Sequence, residues 1–182
     1  WQVVQLALPG MATVDQASQL LDEGFAYGPE VVLLGFVLND SEDQNAAEKR
    51  RAQDWVAEKK DRKARRGLLH RSALYRLVNG RLRATSETRR RVEAYRSQFR
   101  DDYPGWIACR KALRTMGSAC RERGIPFVVV IFPLLGNALD ESYPFAEIHQ
   151  KVSAAAAEAG ARVVDLLPAY RGLRWDVLVV DG

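Results

Sequence analysis

Between Glu30 and Leu38 the chain runs Val31-Val32-Leu33-Leu34-Gly35-Phe36-Val37, closed off by Gly28-Pro29 before it and Asn39-Asp40-Ser41 after it. A short apolar run rich in β-branched residues and bounded by turn signals reads as a strand covered on both faces, the usual state of strands in parallel sheets. Two later segments have the same texture, Pro126 to Phe132 and Arg162 to Leu166. Helical patterns lie between them. Strands that alternate with helices predict an α/β fold with a parallel sheet, because parallel neighbours need a crossover connection.

The rest of the chain fits that frame. Val3 to Leu8 reads as a short buried strand broken by Pro9-Gly10. Thr13 is placed to cap a helix, with Gln16 completing a capping box. Ala17, Leu20, Leu21 and Phe25 keep the helical period up to Gly28-Pro29. Trp106 to Arg123 is an amphipathic helix ended by Gly124, and Tyr143 to Ala159 is another ended by Gly160. Val177 to Val180 suits a short extended piece. The expectation is a single domain over 1–182, a three-layer α/β/α sandwich, interrupted by a basic helical insertion at 42–105. Ligands of such sheets bind at the carboxyl ends of the strands. Those ends are Pro9-Gly10, Asn39-Asp40, Pro133-Leu134 and Asp165-Leu166.

Several chemistries find no footing in the sequence. No glycine-rich phosphate loop, no Cys-x-x-Cys and no histidine pair at metal spacing occurs. No apolar run reaches the ~18–20 residues of a membrane span. The two cysteines, Cys109 and Cys120, fall on one helix about 16 Å apart, too far to pair, and read as buried free thiols. The two histidines, His70 and His149, read as surface or packing residues. Asn39 stands directly after a buried strand, where its amide is a neutral donor suited to a developing oxyanion. Gly10, at the end of the preceding strand, brings a backbone N–H toward the same point. The competing reading makes both ordinary turn residues. Asp40 reads as a cap or turn residue rather than a catalyst.

Leu8-Pro9-Gly10-Met11-Ala12-Thr13 and Pro29-Glu30-Val31-Val32-Leu33-Leu34-Gly35-Phe36-Val37-Leu38-Asn39-Asp40 together resemble the SGNH hydrolases, the GDSL-type esterases and lipases. Gly10 matches the block whose glycine N–H serves the oxyanion hole. Asn39 matches the block that supplies the oxyanion asparagine, although Gly35 stands four residues before it instead of two. Gly124 to Pro133 and Val163 to Leu167 are similar to the family's later strands, and Asp181-Gly182 to the start of its last block. The resemblance covers about 1–40 and 106–182. It implies a flavodoxin-like sheet and a serine ester hydrolase of carboxylesterase, lipase or deacetylase type. The reaction passes through an acyl-enzyme and uses no cofactor and no metal. It further implies a small-molecule or carbohydrate ester as substrate and a cell-envelope or secreted location. Asp181 takes the place of the triad acid. No Gly-Asp-Ser occurs and no His follows Asp181, so the nucleophile and the base are expected just beyond the two ends. A fragment lacking them, and lacking the first strand that belongs beside Val3–Leu8, is expected to be inactive and poorly stable alone.

The insertion carries a separate signal. Residues 49–100 hold 18 Lys and Arg against 5 Asp and Glu, while the remainder holds 9 against 18. Arg62-Lys63-Ala64-Arg65-Arg66 and Arg89-Arg90-Arg91 suit contacts with phosphates of nucleic acid or of an anionic membrane surface. No nucleic-acid-binding motif accompanies them, and stacking aromatics are sparse (Trp55, Tyr75, Tyr95, Phe99). The other reading is a solvated helical cap over the site, with Leu68, Leu69, Leu74, Leu77 and Val78 as an apolar wall or as the cap's own core. A non-catalytic relative that binds carbohydrate is a third reading, and acyl transfer to a sugar hydroxyl competes with hydrolysis.

Overall fold

The structure is a computed structural model that describes residues 2–6, 8, 10–41 and 89–173. Three five- and four-residue strands, β1 (Val32–Phe36), β2 (Phe127–Ile131) and β3 (Arg162–Asp165), form a parallel sheet in the order β1-β2-β3. Val32 pairs with Phe127 and Phe36 with Ile131; Val128 pairs with Arg162 and Ile131 with Asp165. Each parallel step is bridged by a helix, α2 (Pro104–Glu122) before β2 and α3 (Ala146–Glu158) before β3. Ahead of β1 lies α1 (Thr13–Asp22), and after β3 comes a single turn, α4 (Leu167–Tyr170). The fold is α/β, as the alternation predicts.

The covered face of the sheet is set by alternation along each strand. Leu34, Phe36, Phe127, Val129 and Ile131 point one way and are buried. Against them lie α2 and α3, with α1 packed on α2. Helix α2 turns Trp106, Cys109, Leu113, Met116 and Cys120 inward, a spacing of three and four that keeps one stripe toward the core. Gly117 lies where α2 meets the end of α3; a Cβ there would sit on the Ala159 carbonyl oxygen. Residues 89–98 are also helical. They dock through Tyr95 edge-on to Phe145 at 5.3 Å, and Phe99, just beyond them, packs on Trp106 at 5.1 Å.

Several expectations change. Val3 to Leu8 is not a strand in its described residues, and Val3 is 88% exposed. A strand exists only with a partner ladder, and none forms beside it among the described residues. Helix α1 starts at Thr13 with Ala12 as its N-cap, so Thr13 is not the cap. The Ala12 N–H is taken by the Asp15 carboxylate at 3.0 Å, and no bond from Gln16 completes a box there. Pro104 does not close the insertion but opens α2, where its missing N–H costs nothing. Helix α3 begins three residues later than Tyr143, because Pro144 and the bonded Tyr143 belong to the preceding loop. Among the described residues the strands are covered on one face only: Leu33 is 63% exposed, and Val164 and Phe132 are exposed too. The described residues supply two of the three expected layers. The insertion's residues 42–88 and the piece at 177–180 lie outside the described residues.

Candidate functional site

The chain leaves β1 through a tight turn held by its own atoms. Asp40 N–H donates to the Val37 carbonyl at 2.9 Å, and Val37 N–H donates to Asp40 Oδ2 at 3.0 Å. The Ser41 hydroxyl reaches the Leu38 carbonyl at 3.5 Å. Leu38, Asp40 and Ser41 are buried while Asn39 is exposed. The turn therefore anchors its neighbours inward and leaves the Asn39 amide at the surface of the strand end.

A second segment is tied to this turn. Thr13 is fully buried at the start of α1. Its N–H donates to the Asp40 carbonyl at 3.2 Å and its hydroxyl donates to the same oxygen at 3.3 Å. The Cys109 thiol of α2 lies 3.5 Å from the Thr13 hydroxyl and donates to it. Three residues upstream, Gly10 sits at φ +87°, a left-handed conformation open to glycine and strained for other residues. Met11 N–H closes back on the Leu8 carbonyl at 3.2 Å. The start of α1, three residues after Gly10, is thus bonded to the Asn39 turn at the carboxyl end of β1. Asp181, the third residue singled out in the sequence, lies outside the described residues.

Burial governs the ionisable groups of this unit. It raises the Asp40 carboxyl from 3.8 to about 6, against the lowering effect of the Val37 N–H. It also pushes the Cys109 thiol up to about 12. Cys109 therefore stays a protonated thiol at neutral pH, a packing group and weak donor and not a nucleophile.

A second polar pair was not foreseen. His149 is 1% exposed, and its Nδ1 lies 2.8 Å from Asp165 Oδ1. The same oxygen accepts the Leu167 N–H at 2.9 Å, so one carboxylate ends β3 and starts α4. Tyr143 packs edge-on to His149 at 5.6 Å, and the Leu134 N–H donates to its hydroxyl at 2.7 Å. His149 Nε2 is buried and meets no acceptor or donor among the described residues. The packing alternative for His149 holds and the surface alternative falls. Its buried neighbours Ile148, Val152 and Ala156 were the available signal, since they put position 149 on the apolar stripe of α3. Nothing in the sequence pointed to Asp165 as its partner. Asp165 and Phe36 both pair with Ile131, so they stand two strands apart, about 10 Å. The structure does not join the His149 pair to the Asn39 turn.

Comparison of the chain with protein-family models, curated proteins and solved structures finds no match. Among the described residues, no three His, Cys, Asp or Glu side chains cluster as a metal site would require, and no helix is long and apolar enough to cross a membrane.

Proposed function

We propose that the Gly10 and Asn39 turns are the oxyanion-binding half of a serine ester hydrolase site of the SGNH kind. The observation that carries the reading is the pair of hydrogen bonds from Thr13 to the Asp40 carbonyl, which ties the start of α1, three residues after a left-handed glycine, to the turn that exposes Asn39 at the end of a parallel strand. A backbone N–H and a carboxamide aimed at a common point suit the negative charge that develops on a carbonyl oxygen under attack. In the reaction a serine hydroxyl adds to the ester carbonyl and its proton passes to a histidine. The tetrahedral oxyanion rests on Gly10 N–H and the Asn39 amide, and the alcohol leaves with the proton. A water or a sugar hydroxyl then releases the acyl group by the reverse steps. Asp181 is the residue we assign to orienting the histidine. The substrate is a small-molecule or carbohydrate ester, and the chemistry needs no cofactor.

The test uses the full gene product, assayed with p-nitrophenyl acetate and butyrate and with a fluorophosphonate probe that labels activated serines. Asn39→Ala is expected to lower kcat about 10²–10³-fold. Its exposed side chain predicts a change in stability within about 0.5 kcal/mol. An unlabelled, inactive protein, or an Asn39→Ala variant as fast as the parent, removes the hydrolase reading.

A second reading draws on Arg89, Arg90 and Arg91, all exposed on the helical stretch 89–98. They are available to an anionic surface, whereas Arg96 reaches the Pro144 carbonyl and Arg100 is paired with Asp102. Binding to DNA or anionic vesicles that weakens steeply with salt, and is lost on neutralising 89–91, favours this reading over the first.

A further inference from the structure

Asp40 does more than turn the chain. A carboxylate is an expensive group to bury, and turns at strand ends are routinely closed by serine or asparagine without a charge. Asp40 is 8% exposed and makes bonds in two directions. Its side chain closes the loop on Val37 N–H, which fixes the backbone on either side of Asn39. Its carbonyl receives both donors of Thr13, which fixes the start of α1, three residues after Gly10. Cys109 backs the Thr13 hydroxyl from α2.

We infer that Asp40 is a positioning residue: by clasping Val37 N–H with its carboxylate and Thr13 with its carbonyl, it holds the Asn39 amide and the Gly10 N–H in one fixed relation. The inference deepens the hydrolase reading and rests on it for its kinetic consequence. An amide that wanders by about 1 Å loses most of its value to an oxyanion, whose binding depends on donors already in place. The loss falls on the transition state alone, so kcat changes and KM does not.

The experiment is a double-mutant cycle in the full gene product, with p-nitrophenyl butyrate as probe. Asp40→Ala is expected to lower kcat about 10–100-fold with KM unchanged. Asp40→Asn, whose Oδ1 still accepts from Val37, is expected to return kcat to within threefold of the parent. In an Asn39→Ala background, Asp40→Ala is expected to cost clearly less than it does in the parent, because only the Gly10 N–H is left to position. Should Asp40→Ala not fold, Thr13→Val takes its place, since it keeps the volume and deletes only the hydroxyl that reaches the Asp40 carbonyl. Full multiplicativity of the Asp40 and Asn39 effects overturns the inference, as does an unaffected kcat or a failure of Asp40→Asn to restore it. Amide hydrogen exchange separates this failure from that of the hydrolase reading. In a protein with no esterase activity, Val37 N–H exchange that is faster in Asp40→Ala and restored in Asp40→Asn still supports the clasp. Exchange unchanged by Asp40→Ala refutes it whatever the activity.

Discussion

At the scale of single residues, the buried carboxyl of Asp40 has a consequence for stability. Folding raises its pKa from 3.8 to about 6, so the folded chain holds a proton there that the unfolded chain has released. A raised carboxyl works against the folded state as pH rises. Its penalty is absent below about pH 4, grows between 4 and 6, and is complete above, at about 3 kcal/mol. Among the described residues the groups facing it offer no compensating charge: from α1 it meets Thr13, which does not ionise, and from α2 Cys109, which stays neutral to about 12. Asp40→Asn keeps the acceptor for Val37 and removes the penalty. Urea denaturation is expected to find the two proteins equal in stability near pH 4 and the Asn variant more stable by about 1–3 kcal/mol at pH 8. Equal stability at both pH values contradicts the assignment. His149 is buried against one oxygen of Asp165 among the described residues, and the Leu167 N–H depends on the same oxygen. What sequence showed of these residues was uneven. Asp40 as a turn residue was legible from Asn-Asp after an apolar run, because turn chemistry is local. Its link to Thr13, and that of His149 to Asp165, join positions 27 and 16 apart through folding that no local pattern encodes.

At the scale of elements, what was legible follows from how a signal is carried. Strands β1, β2 and β3 lie inside the runs that predicted them, because a β-branched apolar run has few other uses. Boundaries moved where a side chain found a distant partner. Thr13 would cap α1 if its hydroxyl were free, yet it serves the Asp40 carbonyl and the helix starts one residue earlier in the cap. The contact between α2 and α3 was not visible at all, since Gly117 in a helix reads as a weak point and not as an interface. Here its absent Cβ lets the Ala159 carbonyl approach the backbone of α2. Gly117→Ala gains helix propensity of about 1 kcal/mol but forces two backbones apart. Overpacking of this sort costs about 1–3 kcal/mol, and the contact here is with backbone, which yields less readily than a side chain. The variant is therefore expected to be less stable than the parent by thermal and urea denaturation. A more stable Gly117→Ala shows that α2 and α3 do not approach as described.

At the scale of the molecule, the sheet is two-faced in an unequal way. One face buries Phe36, Val129 and Ile131 completely beneath α2 and α3. The other carries Leu33, Val164 and Phe132 in contact with solvent. The apolar run that predicted burial on both faces was faithful to composition and blind to what covers each side, because alternation within a wholly apolar strand leaves no polar residue to mark an open face. The inequality makes two substitutions, three residues apart on one strand, diverge. Phe36→Ala opens a cavity under two helices and is expected to cost about 3–5 kcal/mol. Leu33→Lys swaps an exposed apolar side chain for a solvated one and is expected to change stability by no more than about 0.5 kcal/mol. Urea titration of both variants in the full gene product checks the contrast directly. A loss of 2 kcal/mol or more at Leu33 would mean that the face is closed, by another part of the protein or by a second copy. Repeating Leu33→Lys across a hundredfold range of protein concentration tells these apart. A cost that grows with concentration belongs to an interface between copies, whereas a constant one belongs to a layer within the chain.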